Sequence, residues 1–146
     1  MLHGLFTITV PWLLLRHSTA WPALPLGPLR WVGGALVAFG AYLYVWSVAY
    51  LLKRQTSAIP GERPARLQVS GWYGRVRHPL LLGVVAILLG EAIWFASLAL
   101  LAYALSYWLW LHVFVTVREE RDLREAFGDA YASYAREVPR WLPRLR

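Results

Sequence analysis

The sequence contains no cysteine, which excludes disulfides and thiolate metal ligands alike. Its four histidines, His3, His17, His78 and His112, show no metal-ligand spacing, so metal catalysis is not expected. Charge is scarce at 16% of residues, with 8 acidic against 15 basic side chains for a net charge of +7. No Gly-rich loop joins a strand to a helix, and no alternation of strands and helices could build a soluble nucleotide-binding fold. Internal repeats and low-complexity tracts are missing too. What is abundant is apolar: 58% hydrophobic residues, nine Trp and a mean hydropathy of +0.43 describe a membrane protein.

Trp31 to Leu52 is 22 residues without a charge. At about 1.5 Å per residue it covers the roughly 30 Å hydrocarbon core. Leu80 to Val117 is apolar apart from Glu91 and His112, and is too long for one crossing. Two helices turning near Phe95-Ala96-Ser97 are expected there. Leu2 to Leu15 is short and carries Pro11, which leaves a distorted helix, a re-entrant segment or a signal peptide open; no Lys or Arg precedes the run, which disfavours the last. The expected fold is all-α, a polytopic membrane protein of about four transmembrane helices with a C-terminal cytoplasmic amphipathic helix. One domain is expected over 1–146: membrane helices in 1–52, a cytoplasmic loop in 53–78, a helical hairpin in 79–117 and a C-terminal helix and tail in 118–146.

Of the 15 basic residues, six lie from Lys53 to Arg77 and seven from Arg118 to Arg146, leaving Arg16 and Arg30 for the other side. Cytoplasmic loops collect Lys and Arg, so both termini are expected in the cytoplasm. The positive charge then reflects topology and attraction to anionic lipid. A nucleic-acid partner is excluded for want of a soluble basic face or a reading motif. His17 to Pro28, with Pro22, Pro25 and Pro28, reads as an irregular extracytoplasmic loop. Lys53 to Ser70, punctuated by Pro60-Gly61 and Pro64, is long enough to act partly as a lid.

Two polar clusters border the hairpin: Gly71 to Pro79 before it and Arg118 to Asp122 after it. They can meet at one end and form a candidate active site. In the C-terminal segment Leu123, Phe127, Tyr131, Tyr134 and Val138 recur at helical steps and mark one face. At about 100° per residue Glu119 and Glu120 flank the Leu123 direction, while Arg118 and Arg121 point away. His112 joins the same face if the helix is unbroken. Gly128-Asp129 is an expected break, with Asp129 capping a short piece that ends before Pro139.

Simpler readings exist for each residue. The glutamates could be a solvated run with pairs such as Glu120 and Arg124. Arg77 and His78 could anchor a helix end at the headgroups, with Pro79 opening the next helix. Trp72, Tyr73, Trp108 and Trp110 suit an aromatic belt, and Glu91 suits the far interface. Gly33, Gly34, Ala38 and Ala41 permit tight helix contact, within one chain or between chains.

Leu67-Gln68-Val69-Ser70-Gly71-Trp72-Tyr73, Arg77-His78-Pro79 with Gly83, and Glu119-Glu120 with Leu123, Phe127-Gly128, Tyr131, Tyr134 and Val138-Pro139-Arg140 form an ordered set. This set, from Leu67 to Pro143, resembles the integral-membrane methyltransferases that include isoprenylcysteine carboxyl methyltransferases and phospholipid methyltransferases. The resemblance implies S-adenosylmethionine as methyl donor, with S-adenosylhomocysteine as product. It also implies a cofactor site of Tyr73, His78, Pro79, Gly83, Glu119 and Glu120, with Leu67 contributing from the loop. His112 and Arg77 are the candidate catalytic residues; a protonated acceptor needs a base, which His112 or one of the glutamates could supply.

Leu81 stands where many relatives carry Tyr. Val115 stands where the isoprenylcysteine enzymes place an Arg that can pair with the substrate carboxylate, which counts against a prenylcysteine acceptor. A lipid amine is slightly favoured, ahead of a prenylcysteine carboxylate, a small thiol or another lipophile entering from the bilayer. A non-catalytic scaffold or binding subunit is the alternative of another class. A transporter is disfavoured because no polar line crosses the membrane.

Overall fold

A computed structural model describes residues 5–17, 25–54 and 67–143. These residues are all-α. A π-helical turn at Leu5–Thr9 leads into α1 (Val10–His17), and a 3-10 turn at Gly27–Leu29 leads into α2 (Arg30–Lys53). A second 3-10 turn, Gly71–Gly74, precedes α3 (Pro79–Trp94) and α4 (Leu98–Phe114). The π-helical stretch Val115–Glu119 joins α4 to α5 (Glu120–Glu137). The expected lid falls mainly on 55–66, outside the described residues.

Two helical stretches, Gly27–Lys53 and Leu98–Glu137, are long and apolar enough to cross a bilayer. Only 22% and 33% of their apolar windows are buried within the protein. A core helix of a soluble protein would be mostly buried, so these faces call for apolar surroundings. α3 is apolar but has 16 residues, a rise of about 24 Å.

The helix ends follow from local chemistry. Pro79 opens α3 at the position where its missing N–H costs nothing, and Leu82 N–H donates to the His78 carbonyl at 2.9 Å. At the other end Ala96 adopts φ 52°. Its N–H donates to Ile93 O at 3.1 Å and that of Ser97 to Ala92 O at 3.0 Å, which closes the helix in a left-handed cap. Ser97 Oγ then accepts the Leu100 N–H at 3.4 Å and starts α4. The hairpin turn therefore falls at the expected tripeptide.

The chain packs as two compact units, one of residues 1–42 and 83–110, the other of 43–82 and 111–146. In the first, α2 and α3 meet backbone to backbone through glycines seven apart on each helix. A Cβ on Gly33 would lie 2.6 Å from Gly90 O, and one on Gly40 would lie 2.6 Å from Gly83 O. Gly33 and Gly34 thus serve contact within the chain, while Ala38 and Ala41 are exposed. The π-turn before α1 packs on α4: Tyr103 donates its hydroxyl to Phe6 O at 3.0 Å, and the Phe6 and Tyr107 rings lie 5.6 Å apart. Residues 5–17 are thus a distorted helix with Pro11 buried in its first α-turn.

The second unit buries Leu43, Ser47, Leu51, Val76, Leu111, Val115, Tyr131 and Val138. Gly128 has φ 51° and ψ −125°, a conformation open to glycine, and breaks α5 where expected. The helix resumes at Asp129 and ends at Glu137, before Pro139.

Candidate functional site

Glu120 is the centre of the second unit. Only 1% of its side chain is exposed, and burying a carboxylate is costly unless it is paired. Arg77 Nη1 donates to its Oε1 at 2.8 Å, Arg140 Nε to Oε1 at 2.7 Å, and Arg140 Nη2 to Oε2 at 2.9 Å. Burial alone would raise its pKa; the hydrogen bond from Arg140, then His78 and Arg77, hold it far below the usual carboxylate range. The expected i,i+4 partner Arg124 adds a contact of 3.8 Å from a more exposed position. Both oxygens of Glu120 are therefore engaged.

Arg77 extends the same clamp. Its Nε donates to Val138 O at 2.7 Å, its Nη2 to Ala135 O at 3.1 Å and its backbone N–H to Pro139 O at 2.9 Å. All three guanidinium nitrogens are thus engaged, and they tie the 3-10 segment to the end of α5. Tyr134 strengthens that tie by donating to Tyr73 O at 2.7 Å.

His78 lies between the glutamates, its Nδ1 3.4 Å from Glu119 Oε1 and its Nε2 3.8 Å from Glu120 Oε1. Burial opposes its charge, but the two carboxylates outweigh burial and raise its pKa. A raised histidine contributes stability that is complete below its ordinary value of about 6.5 and is lost as pH rises through the folded value. Glu120, depressed, keeps its contribution above the carboxylate range and loses it only in strong acid. The thermal midpoint in detergent is therefore expected to fall as pH rises from about 6.5 through the folded value. His78→Gln should flatten that slope, and a wild-type midpoint independent of pH over this window would contradict the assignment.

Five buried side-chain polar atoms have no hydrogen-bond partner among the described residues: Ser47 Oγ, His78 Nε2, Glu119 Oε2 and Tyr131 Oη in the second unit, and Glu91 Oε2 in the first. Unpaired buried polar atoms are costly and mark places where a ligand completes the network. Glu119 differs from Glu120 in this respect. Its side chain is 24% exposed, and among the described residues no arginine pairs with it. Tyr73 stays a neutral phenol, since burial and then the Glu119 charge raise its pKa. Its ring stacks on Tyr50 at 5.5 Å, and Tyr50 stacks on Trp46 at 4.9 Å. Gly71, at φ 65°, lets the chain pass the Trp46 ring, which a Cβ would meet at 2.6 Å. This aromatic tier suits a planar, polar-edged ligand.

His112 is reached by the tail. Trp141 Nε1 donates to His112 Nδ1 at 3.0 Å, and the indole lies 6.3 Å from the His78 ring and 6.2 Å from that of His112. A nitrogen that accepts is unprotonated, so His112 carries its proton on Nε2 in this arrangement. The helix between His112 and Glu119 is not the unbroken α-helix expected. Val115–Glu119 is π-helical, and Thr116 Oγ1 donates to His112 O at 2.7 Å and Val113 O at 3.1 Å. The extra residue in that turn changes the register between His112 and the glutamates.

The second unit thus brings together Tyr73, Arg77, His78, Pro79, His112, Glu119 and Glu120. Leu67 is half-buried in the extended segment before Gly71. Gly83 groups with the first unit, where its carbonyl faces Gly40. Trp46, Tyr50 and Trp141 were not expected at the site. Trp141 carried a signal, since it directly follows Pro139-Arg140; Trp46 and Tyr50 were hidden in an apolar run. Arg118 and Arg121 are exposed, as the wheel requires.

The chain is 32% identical over 145 residues to the cobalt-zinc-cadmium resistance protein CzcN of Cupriavidus metallidurans, covering 95% of this chain and 60% of that protein. It is 28% identical to a methanethiol S-methyltransferase of Pseudomonas deceptionensis and 27% identical to methanethiol S-methyltransferase 1 of Bradyrhizobium diazoefficiens, each over 83% of this chain. It spans 46% and 42% of the length of those two relatives. No solved structure matches. The model of the phospholipid methyltransferase family, whose members use S-adenosylmethionine, matches residues 29–130, more than half of the chain. By that match the chain belongs to the phospholipid methyltransferase family of membrane methyltransferases.

Proposed function

We propose that the chain transfers a methyl group from S-adenosylmethionine to a lipophilic nucleophile at the site in its second unit. The observation that carries this reading is the unequal pair of glutamates: Glu120 is locked by two arginines, whereas Glu119 Oε2 and His78 Nε2 are buried and have no hydrogen-bond partner among the described residues. That donor and acceptor set fits S-adenosylmethionine. Glu119 would accept from the ribose hydroxyls or the amino group, and His78 would donate to the carboxylate. Tyr73 and its stacked partners offer an aromatic wall, with Pro79 and Leu67 at the margin and Gly83 assigned by resemblance.

Bound there, the sulfonium supplies an already activated methyl group. The protein's own work is orientation and exclusion of water. Arg77 and Arg140 act as positioning residues, fixing Glu120 and with it the turn that carries Glu119. His112 can take a proton at Nδ1 only after Trp141 releases it, so a base role for His112 requires the tail to move. The Lys and Arg distribution supports a cytoplasmic site, cytoplasmic termini and a four-span topology.

A phospholipid amine remains the first acceptor class. Val115 is fully buried and Arg118 is exposed, so neither supports an acceptor carboxylate. A small thiol is the second reading, favoured by the two methanethiol S-methyltransferases among the relatives.

Titration of the detergent-solubilised protein with S-adenosylhomocysteine tests the site. Saturable binding is expected, with Glu119→Gln weakening it by about tenfold or more, a loss of about 1.4 kcal/mol, in a variant that still folds. Absence of binding to the folded wild type would overturn the methyltransferase reading. Turnover with phosphatidylethanolamine against methanethiol then separates the acceptor classes.

A further inference from the structure

The first unit contains a cleft of about 270 Å³ lined by Gly34, Val37, Glu91, Trp94 and Phe95. Glu91 supplies its one charged wall. Its Oε2 is buried and has no hydrogen-bond partner among the described residues. A carboxylate left this way needs a donor from elsewhere.

The surroundings narrow the donor. Trp94 and Phe95 provide π-faces that attract a cation, and Trp31 packs edge-on against Trp94 at 5.2 Å. Trp31 and Phe95 are exposed apolar rings, as expected where a helix end meets lipid headgroups. Arg30 Nε donates to Trp94 O at 2.8 Å, which leaves its two Nη groups for an anion beside the cleft. A carboxylate, an aromatic wall and a neighbouring guanidinium together match a ligand that carries an ammonium and a phosphate.

We propose that this cleft binds the headgroup of a phospholipid with a primary ammonium, phosphatidylethanolamine by its chemistry. The ammonium donates to Glu91 and lies on Trp94, and the phosphate meets Arg30. A trimethylammonium headgroup has no N–H for the unpaired oxygen and should bind less well. Glu91 lies in the last turn of α3, at the opposite end of that helix from Pro79. The bound lipid is thus a resident of this site and not the methyl acceptor, and the inference does not rest on the methyl-transfer reading.

Native mass spectrometry of the detergent-solubilised chain, titrated with single lipids, tests it. Phosphatidylethanolamine should bind about tenfold more tightly than phosphatidylcholine or phosphatidylglycerol, and Glu91→Gln should reduce that preference while S-adenosylhomocysteine binding stays unchanged. Should Glu91→Gln fail to fold, Phe95→Leu, which removes an exposed π-face from the cleft and leaves the carboxylate in place, is expected to weaken the same preference. Equal binding of the three lipids to the wild type, or a preference intact in the variants, would overturn the assignment. Glycerophosphoethanolamine competing as well as the intact lipid would overturn the lipid source and leave a site for soluble amines.

Discussion

Replacing Glu120 by alanine is expected to destabilise the protein by about 3 to 5 kcal/mol, the range for breaking a buried ion pair from one side. The loss follows from what remains. Arg77 is 13% exposed and stays tied to Val138 O and Ala135 O, so its charge would be stranded without its carboxylate. Arg140 is 29% exposed and can turn toward water, so it contributes less of the loss. Thermal and denaturant unfolding in detergent measure the effect. Glu120→Gln, which keeps acceptor oxygen but no charge, should fall between wild type and alanine. A loss below about 1 kcal/mol, the value of an exposed pair, would mean that Glu120 is solvated and that the clamp is not formed. Because the clamp carries the turn at Glu119, the same substitution should weaken S-adenosylhomocysteine binding, whereas Glu119→Gln should weaken binding with a smaller loss of stability, through its contact with His78 at 3.4 Å.

Gly90→Leu is expected to be comparably severe in the first unit. A Cβ at Gly90 would sit 2.7 Å from Gly33 O and 2.8 Å from Val37 N, both backbone atoms of α2. Backbone cannot turn aside as a side chain can, so the two helices must separate and give up their contact. Overpacking costs about 1 to 3 kcal/mol in cores that can adjust, and this position belongs at or above the upper end. Gly34→Ala is the useful contrast, since its Cβ meets only the Trp94 ring, at 2.6 Å. That ring can rotate, and the loss should be smaller. Size-exclusion profiles and thermal midpoints of the two variants decide it. Gly90→Leu with a wild-type midpoint would show that α2 and α3 do not touch along their backbones.

Much of the helical layout was legible because it depends on local properties. The charge-free run from Trp31 to Leu52 lies within α2, Arg30–Lys53. The turn at Phe95-Ala96-Ser97 was marked by weak helix commitment within an apolar run, and the left-handed Ala96 is where it occurs. The inward direction of Glu119 and Glu120 followed from the apolar face of α5, since a helix turns its apolar stripe toward its core. Gly128 announced its break because a residue at positive φ is cheap only for glycine.

The division of labour at the site was not legible. Adjacent glutamates read alike in sequence, and the difference between them comes from partners 43 residues earlier at Arg77 and 20 residues later at Arg140. The π-helical turn escaped the wheel because a uniform angle per residue averages over one inserted position. The glycines of α2 permitted contact within or between chains; only the facing Gly83 and Gly90 of α3 assign it within the chain. Tyr73 was assigned to the cofactor site by resemblance, but Trp46 and Tyr50 carried no signal within an apolar run, and only the folded structure stacks them with it.

The sequence by itself determined the all-helical class, the apolar segments, the turn positions and the side of α5 that faces inward, since hydrophobic periodicity and backbone preference act over a few residues. Tertiary structure alone decided that Glu120 is locked and Glu119 left open, that His112 is held by Trp141, and that Glu91 lines a cleft with an oxygen that has no hydrogen-bond partner among the described residues. Those outcomes depend on which distant groups reach the same few ångströms, and the pairing and burial energies of charged groups are set there and not along the chain.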